Sequence, residues 1–121
     1  MKTGYVIFAH GSSIESANDS VRRLAAEFAG SSDAPVVEAA FLEGGSPALD
    51  EAVGRLIALG VERVVVIPYF LTLGLHLQRD LPAMVARIAQ RHPRVTIAVT
   101  PPLEGHPALV EILRERARSA V

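Results

Sequence analysis

The stretch VVVIPYF, residues 64–70, decides the fold. It is a continuous apolar run rich in β-branched residues, the pattern of a strand whose two faces are both covered. Three further runs share its character: YVIFA at 5–9, VVEAAF at 36–41 and VTIAV at 95–99. Between and after them the apolar residues fall at helical spacing instead. Val21, Leu24, Ala25 and Phe28 share one helical face, as do Leu49, Val53, Leu56 and Ile57; Leu81, Val85 and Ile88 mark a third helix, and Leu109, Ile112 and Leu113 a fourth. Prolines at 47, 82 and 107 read as helix starts, where the missing N–H has no partner to lose, and Gly30 and Gly60 read as helix stops.

Strict alternation of strand and helix implies an α/β fold with a parallel sheet, right-handed crossovers and helices on both faces. A flavodoxin-like strand order of 2-1-3-4 sets the ends of the first and third strands side by side. Ligands of such sheets bind beyond the carboxyl ends of the strands, where successive crossovers leave in opposite directions. Residues 1–121 are expected to form one domain, since no linker, low-complexity tract or second domain interrupts the pattern.

Composition narrows the chemistry. Twelve Lys and Arg stand against thirteen Asp and Glu, a formal charge of -1. Such a balance gives no long-range field for nucleic acid or an anionic membrane, so neither is expected as a partner. There is no cysteine, which leaves histidine and carboxylate as the strong metal ligands. The apolar run at 5–9 is too short for a signal-peptide core and no stretch is long enough to span a bilayer, so a cytoplasmic protein is expected.

His10 follows the first strand in AHGSS, and His76 follows the third in YFLTLGLHLQRD. Glu43 follows the second strand in FLEGGSP. Two imidazoles and a carboxylate on one rim suit a borderline divalent ion such as Co(II), Fe(II), Ni(II) or Zn(II) and leave coordination positions open. Each residue also has a plainer reading. A histidine after a strand commonly serves only as a hydrogen-bonding group, and Glu43 suits the helix N-terminus that begins near Pro47. His92, before Pro93, reads as an exposed residue at a helix C-terminus, and His106, before Pro107, as a helix cap or a lining residue of the rim. The leucines at 71, 73, 75 and 77 alternate with polar residues, which reads as a third strand running on, a tucked loop, or an apolar wall against a flat ligand or a partner. The HGSS turn and Gly44-Gly45 lack the lysine and glycine spacing of phosphate-binding loops, and Ser12 and Ser13 lack the elbow of a serine nucleophile.

Taken together, AHGSS, FLEGGSPALDEAV, VVVIPYFLTLGLHLQRDLP and TPPLEGHPALVEILRER resemble the class II tetrapyrrole chelatases, specifically the small sirohydrochlorin cobaltochelatases and the related sirohydrochlorin ferrochelatases. The resemblance covers nearly the whole chain. It implies a three-layer chelatase fold in which His10 and His76 bind the metal with Glu43 assisting, and insertion of Co(II), or Fe(II) or Ni(II), into sirohydrochlorin. Ser12, Ser13, Arg79, Leu75 and His106 are the residues expected to face the tetrapyrrole. No cofactor beyond the substrate metal is implied. Longer family members carry two such domains, which implies a homodimer here. Ser13 stands where the family has an arginine; Arg79 then becomes the first candidate for binding substrate carboxylates, with Arg22 and Arg23 behind it as ordinary helix charges. A non-catalytic metal carrier of the same fold is the alternative reading.

Overall fold

The computed structural model describes residues 2–31 and 36–120. Its strands are β1 (Thr3–Ala9), β2 (Val37–Phe41), β3 (Arg63–Pro68) and β4 (Thr96–Val99), and its helices α1 (Glu15–Ser31), α2 (Leu49–Ala58), α3 (Leu75–Arg91) and α4 (Ala108–Ser119). The strands form one parallel sheet in the order β2-β1-β3-β4, as the sequence implies. Tyr5 lies opposite Val37 on one side and Val65 on the other, and Val65 lies opposite Ala98.

Alternation along the central strand sorts the core into two layers. Val6 and Phe8 point to one face, where Val64 and Val66 of β3 meet Leu49, Val53 and Leu56 of α2 and Leu81 and Ile88 of α3. Ile7 and Ala9 point to the other, against Val21 and Ala25 of α1 and Phe41 of β2. Helices therefore cover both faces, and each fully buried leucine contributes roughly 1.5–3 kcal/mol by leaving water.

Gly60 ends α2 as its position implies. With φ at +88° it follows the Leu59 cap, its N–H donates to Ile57 and that of Val61 to Leu56, and Val61 is buried beneath the turn. Three other expectations need correction. Gly30 lies inside α1, which continues to Ser31. Pro82 lies well within α3 and does not begin it: the helix starts at Leu75, with Gly74 as its cap. The alternating leucines are accordingly not a continued strand. Leu77 and Leu81 are four residues apart on one helical face and both pack on the core, a preference that overrides the period-two pattern. Helix α4 forms where Leu109, Ile112 and Leu113 mark it. Its apolar residues are present, but Val110, Ile112 and Leu113 are exposed and the helix has no buried residue.

Candidate functional site

The carboxyl ends of β1 and β2 are fastened by backbone hydrogen bonds that continue the ladder past the strands. Leu42 donates to the carbonyl of Ala9 at 2.9 Å and Glu43 to that of His10 at 3.0 Å. The loops touch so closely that a Cβ on Gly11 would stand 1.7 Å from the Glu43 carbonyl oxygen, and the φ of +91° there is one that side chains rarely adopt. Gly44, at φ +71°, meets the Ser12 carbonyl in the same way from the opposite loop.

Asn18 holds this junction together. Its side chain is almost wholly buried; Oδ1 accepts from the Ser12 N–H at 3.0 Å, while Nδ2 donates to the carbonyls of Ser12 at 2.8 Å and Gly44 at 3.2 Å and to Glu15 at 3.3 Å. Arg22, one turn further along α1, donates to Glu15, to Asp19 and to the Ser46 carbonyl at 2.9 Å, and lies over the Phe41 ring at 5.1 Å. The Arg22 guanidinium, with the Asn18 amide second, holds the Glu15 carboxyl below the usual range, and Glu15 in turn raises Arg22. Arg22 is thus a brace between α1 and the β2–α2 loop, where the sequence suggests only an ordinary helix charge; Arg23 is exposed.

Upon this frame His10 and Glu43 meet, Nε2 to Oε1, at 3.5 Å. The Nδ1 of His10 lies 3.1 Å from the Gly11 carbonyl, which only accepts, so Nδ1 is placed to donate there and Nε2 is the nitrogen that faces Glu43. That orientation leaves Nε2 as the nitrogen able to bind a metal, with the other nitrogen held by a carbonyl. Tyr69 donates to the Phe8 carbonyl at 2.7 Å, joining the end of β3 to the same rim. Six residues on, the chain enters α3 at Leu75, with His76 in its first turn.

His10 and His76 line one cavity of about 360 Å³ with Leu42, Phe70, Leu75 and Met84 among its apolar walls and Asp80 as its acidic member. The two imidazoles placed at adjacent strand ends by the sequence therefore share a pocket. Among the described residues no group of three or more His, Asp or Glu side chains is close enough to hold a metal ion. Glu43 reaches His10, but the trio is not gathered into a single ligand set.

The remaining candidates divide. Leu75 is in the cavity wall and largely exposed. Ser12 serves the turn, its Oγ accepting from Ile14 at 3.0 Å, and Ser13 is exposed. Arg79 is exposed on α3 outside that wall. His106 Nδ1 accepts from the Ala108 N–H at 3.0 Å and so caps α4; it does not line the cavity. His92 caps the other end of α3 and is half-buried, not exposed. Asp80 and Asn18 carry no mark in a linear reading. The spacing of Asp80 four residues after His76 would reveal it once α3 is known to begin at Leu75.

The CbiX family matches residues 4–120 of the chain. A sirohydrochlorin cobaltochelatase of Sulfolobus acidocaldarius is 30% identical over 118 residues, covering 98% of this chain and 92% of that protein. The chloroplastic sirohydrochlorin ferrochelatase of Arabidopsis thaliana is 30% identical over 113 residues; the match covers 93% of this chain but 50% of the relative, so the chain spans half of its length. Among solved structures, a CbiX protein of Marinobacter aquaeolei VT8 named for cobalamin (vitamin B12) biosynthesis superposes with a TM-score of 0.85 at 32% identity, covering 98% of this chain and 96% of that one.

Proposed function

The chain belongs to the CbiX family, and from that premise we propose that it is a chelatase inserting a divalent metal ion into sirohydrochlorin. The observation that carries the reading is the shared cavity of His10 and His76, with the Nε2 of His10 facing Glu43. The reaction replaces two pyrrole protons by one metal ion. Neutral His10 and His76 hold the substrate ion beside the apolar wall, where the macrocycle lies, and exchange their bonds to it for pyrrole nitrogens. Glu43, exposed at the rim and 3.5 Å from His10, accepts one released proton, an imidazole freed as the metal transfers accepts the other, and both pass to water. An open ligand set suits this task, because a closed cage of four ligands would retain the ion.

Cobalt is the favoured metal in this reading and iron the second, in keeping with the cobaltochelatase and ferrochelatase names of the relatives. A homodimer accompanies the proposal. It is supported by the half-length match to the Arabidopsis protein, by an apolar groove of about 460 Å³ between α3 and β4, and by the exposed apolar residues of α4. Light scattering on the purified protein measures that state.

The deciding experiment mixes protein with sirohydrochlorin and Co(II), Fe(II) or Ni(II) in turn and follows initial rates by absorbance. Multiple turnovers are expected, with His10→Ala and His76→Ala each slowing insertion at least about a hundredfold. Metal binding without turnover would assign a carrier in place of a chelatase. Either histidine variant working at the wild-type rate would refute the assignment of the site.

A further inference from the structure

The wall around His10 and His76 contains no lysine or arginine, and its charged member besides the histidines, Asp80, has the wrong sign for a carboxylate-bearing macrocycle. A second cavity, of about 160 Å³, adjoins the first and shares Leu42 and Met84 with it. Its walls include Arg87, Arg91 and Asp50. Arg91 stands 3.7 Å from Asp50, whereas Arg87 makes no ion pair or side-chain hydrogen bond among the described residues.

The two cavities are stations on one helix stripe. His76, Asp80, Met84, Arg87 and Arg91 follow one another at intervals of four, four, three and four residues, which places them along one side of α3. Arg87 lies about 16 Å along the axis from His76 at 1.5 Å per residue. Side chains on a helix lean toward its N-terminus, so the long guanidinium arm is directed back toward Met84 and the metal end. A flat molecule resting on Leu42 and Met84 with its centre near the histidines thus has its periphery at Arg87.

We propose that Arg87, supported by Arg91, is the subsite that binds a peripheral carboxylate of the tetrapyrrole. The inference rests on the chelatase reading above and deepens it. It assigns to the second cavity the recognition that Ser13 does not supply and that the sequence alone would give to Arg79, which lies outside both cavity walls. A guanidinium binds a carboxylate through two parallel N–H donors, a geometry that lysine does not reproduce.

The test compares wild type, Arg87→Ala, Arg87→Lys and Arg79→Ala in two measurements: KM and kcat for Co(II) insertion, and the Kd of sirohydrochlorin measured without metal. Loss of a charge-assisted bidentate contact is expected to raise KM and Kd about tenfold or more in Arg87→Ala, with kcat within about twofold and Co(II) affinity unchanged. Arg87→Lys is expected between the two, and Arg79→Ala at the wild-type values. Wild-type KM and Kd in Arg87→Ala, alongside normal turnover, would overturn the subsite while leaving the chelatase reading intact; so would a rise in both on changing Arg79 instead. If the wild type binds sirohydrochlorin but inserts no metal, the chelatase reading falls, and the Kd of Arg87→Ala still decides the subsite. If the wild type does not bind sirohydrochlorin, both fall.

Discussion

Replacing Asn18 by alanine is expected to damage stability and catalysis together, because one side chain joins the loops bearing His10 and Glu43. The change removes three short hydrogen bonds to backbone groups, those to the Ser12 N–H, the Ser12 carbonyl and the Gly44 carbonyl. At about 1 kcal/mol net for each, the loss is about 3 kcal/mol, and the near-complete burial of Asn18 limits how well water can replace it. For a chain of this size about 4 °C accompanies each kcal/mol, so the melting temperature should fall by about 12 °C. Calorimetry or thermal circular dichroism measures that fall. Insertion assays at 25 °C, where the variant remains folded, should also show kcat down about tenfold or more, since the two loops no longer hold His10 and Glu43 in register. A melting temperature within about 2 °C of wild type would refute the bookkeeping of these bonds. A full loss of stability with kcat unchanged would instead refute the claim that the junction positions the site.

Gly11→Ala should cost about 3 kcal/mol or more, because the new methyl group overlaps the Glu43 carbonyl and the backbone keeps a positive φ; an unchanged denaturant midpoint would contradict the close approach of the two loops. Pro82→Ala should stabilise the protein by about 1–2 kcal/mol. An interior proline is less favourable than alanine by about 3 kcal/mol, part of which is offset by the looser unfolded chain, and urea titration reads the net shift. Glu15→Gln tests the acid response. The Glu15 carboxyl is held below its ordinary value by Arg22 and then Asn18, so its contribution is present above the ordinary carboxylate range and is lost as pH falls through the lowered value. The melting temperatures of wild type and Glu15→Gln should therefore differ at pH 7 and converge in acid, and parallel curves down to low pH would count against this brace.

The strand order was legible because the four β runs carry enough continuous apolar sequence to demand covered faces, and strict alternation with helices leaves few topologies. The start of α3 was not. Leucines at 71, 73, 75 and 77 fit a period of two, and only Gly74 followed by Leu77, Leu81 and Ile88 reveals the helix that packing selects. With the helix start hidden, so was the stripe from His76 through Asp80 and Met84 to Arg87. The positions of His10 and Glu43 at strand ends could be read from the chain, yet the residue that unites their loops could not: Asn18 resembles any polar residue of a surface helix until Ser12 and Gly44, the latter 26 residues further along the chain, close over it. Arg22 was obscured for the same reason, since its value lies in Ser46 and Phe41, which belong to another crossover.

The two histidines reach the rim by different means, and the difference suits a site that must give up its ion. His10 sits on a loop fixed by backbone hydrogen bonds and by glycines that accept no side chain, with its ring oriented by the Gly11 carbonyl. That arrangement fixes the ring with Nε2 on the rim beside Glu43. His76 sits in the first turn of α3, where the helix dipole presents its positive end and opposes a nearby cation by roughly 0.3–1 kcal/mol. In the proposed reaction one imidazole is therefore placed to capture the metal, while the other binds it against an opposing field and is the easier to displace by a pyrrole nitrogen. Release should accordingly begin at His76: in single-turnover measurements, transfer of a preloaded ion should be slowed less by His76→Ala than by His10→Ala at equal metal occupancy, and the reverse order would refute this assignment of roles.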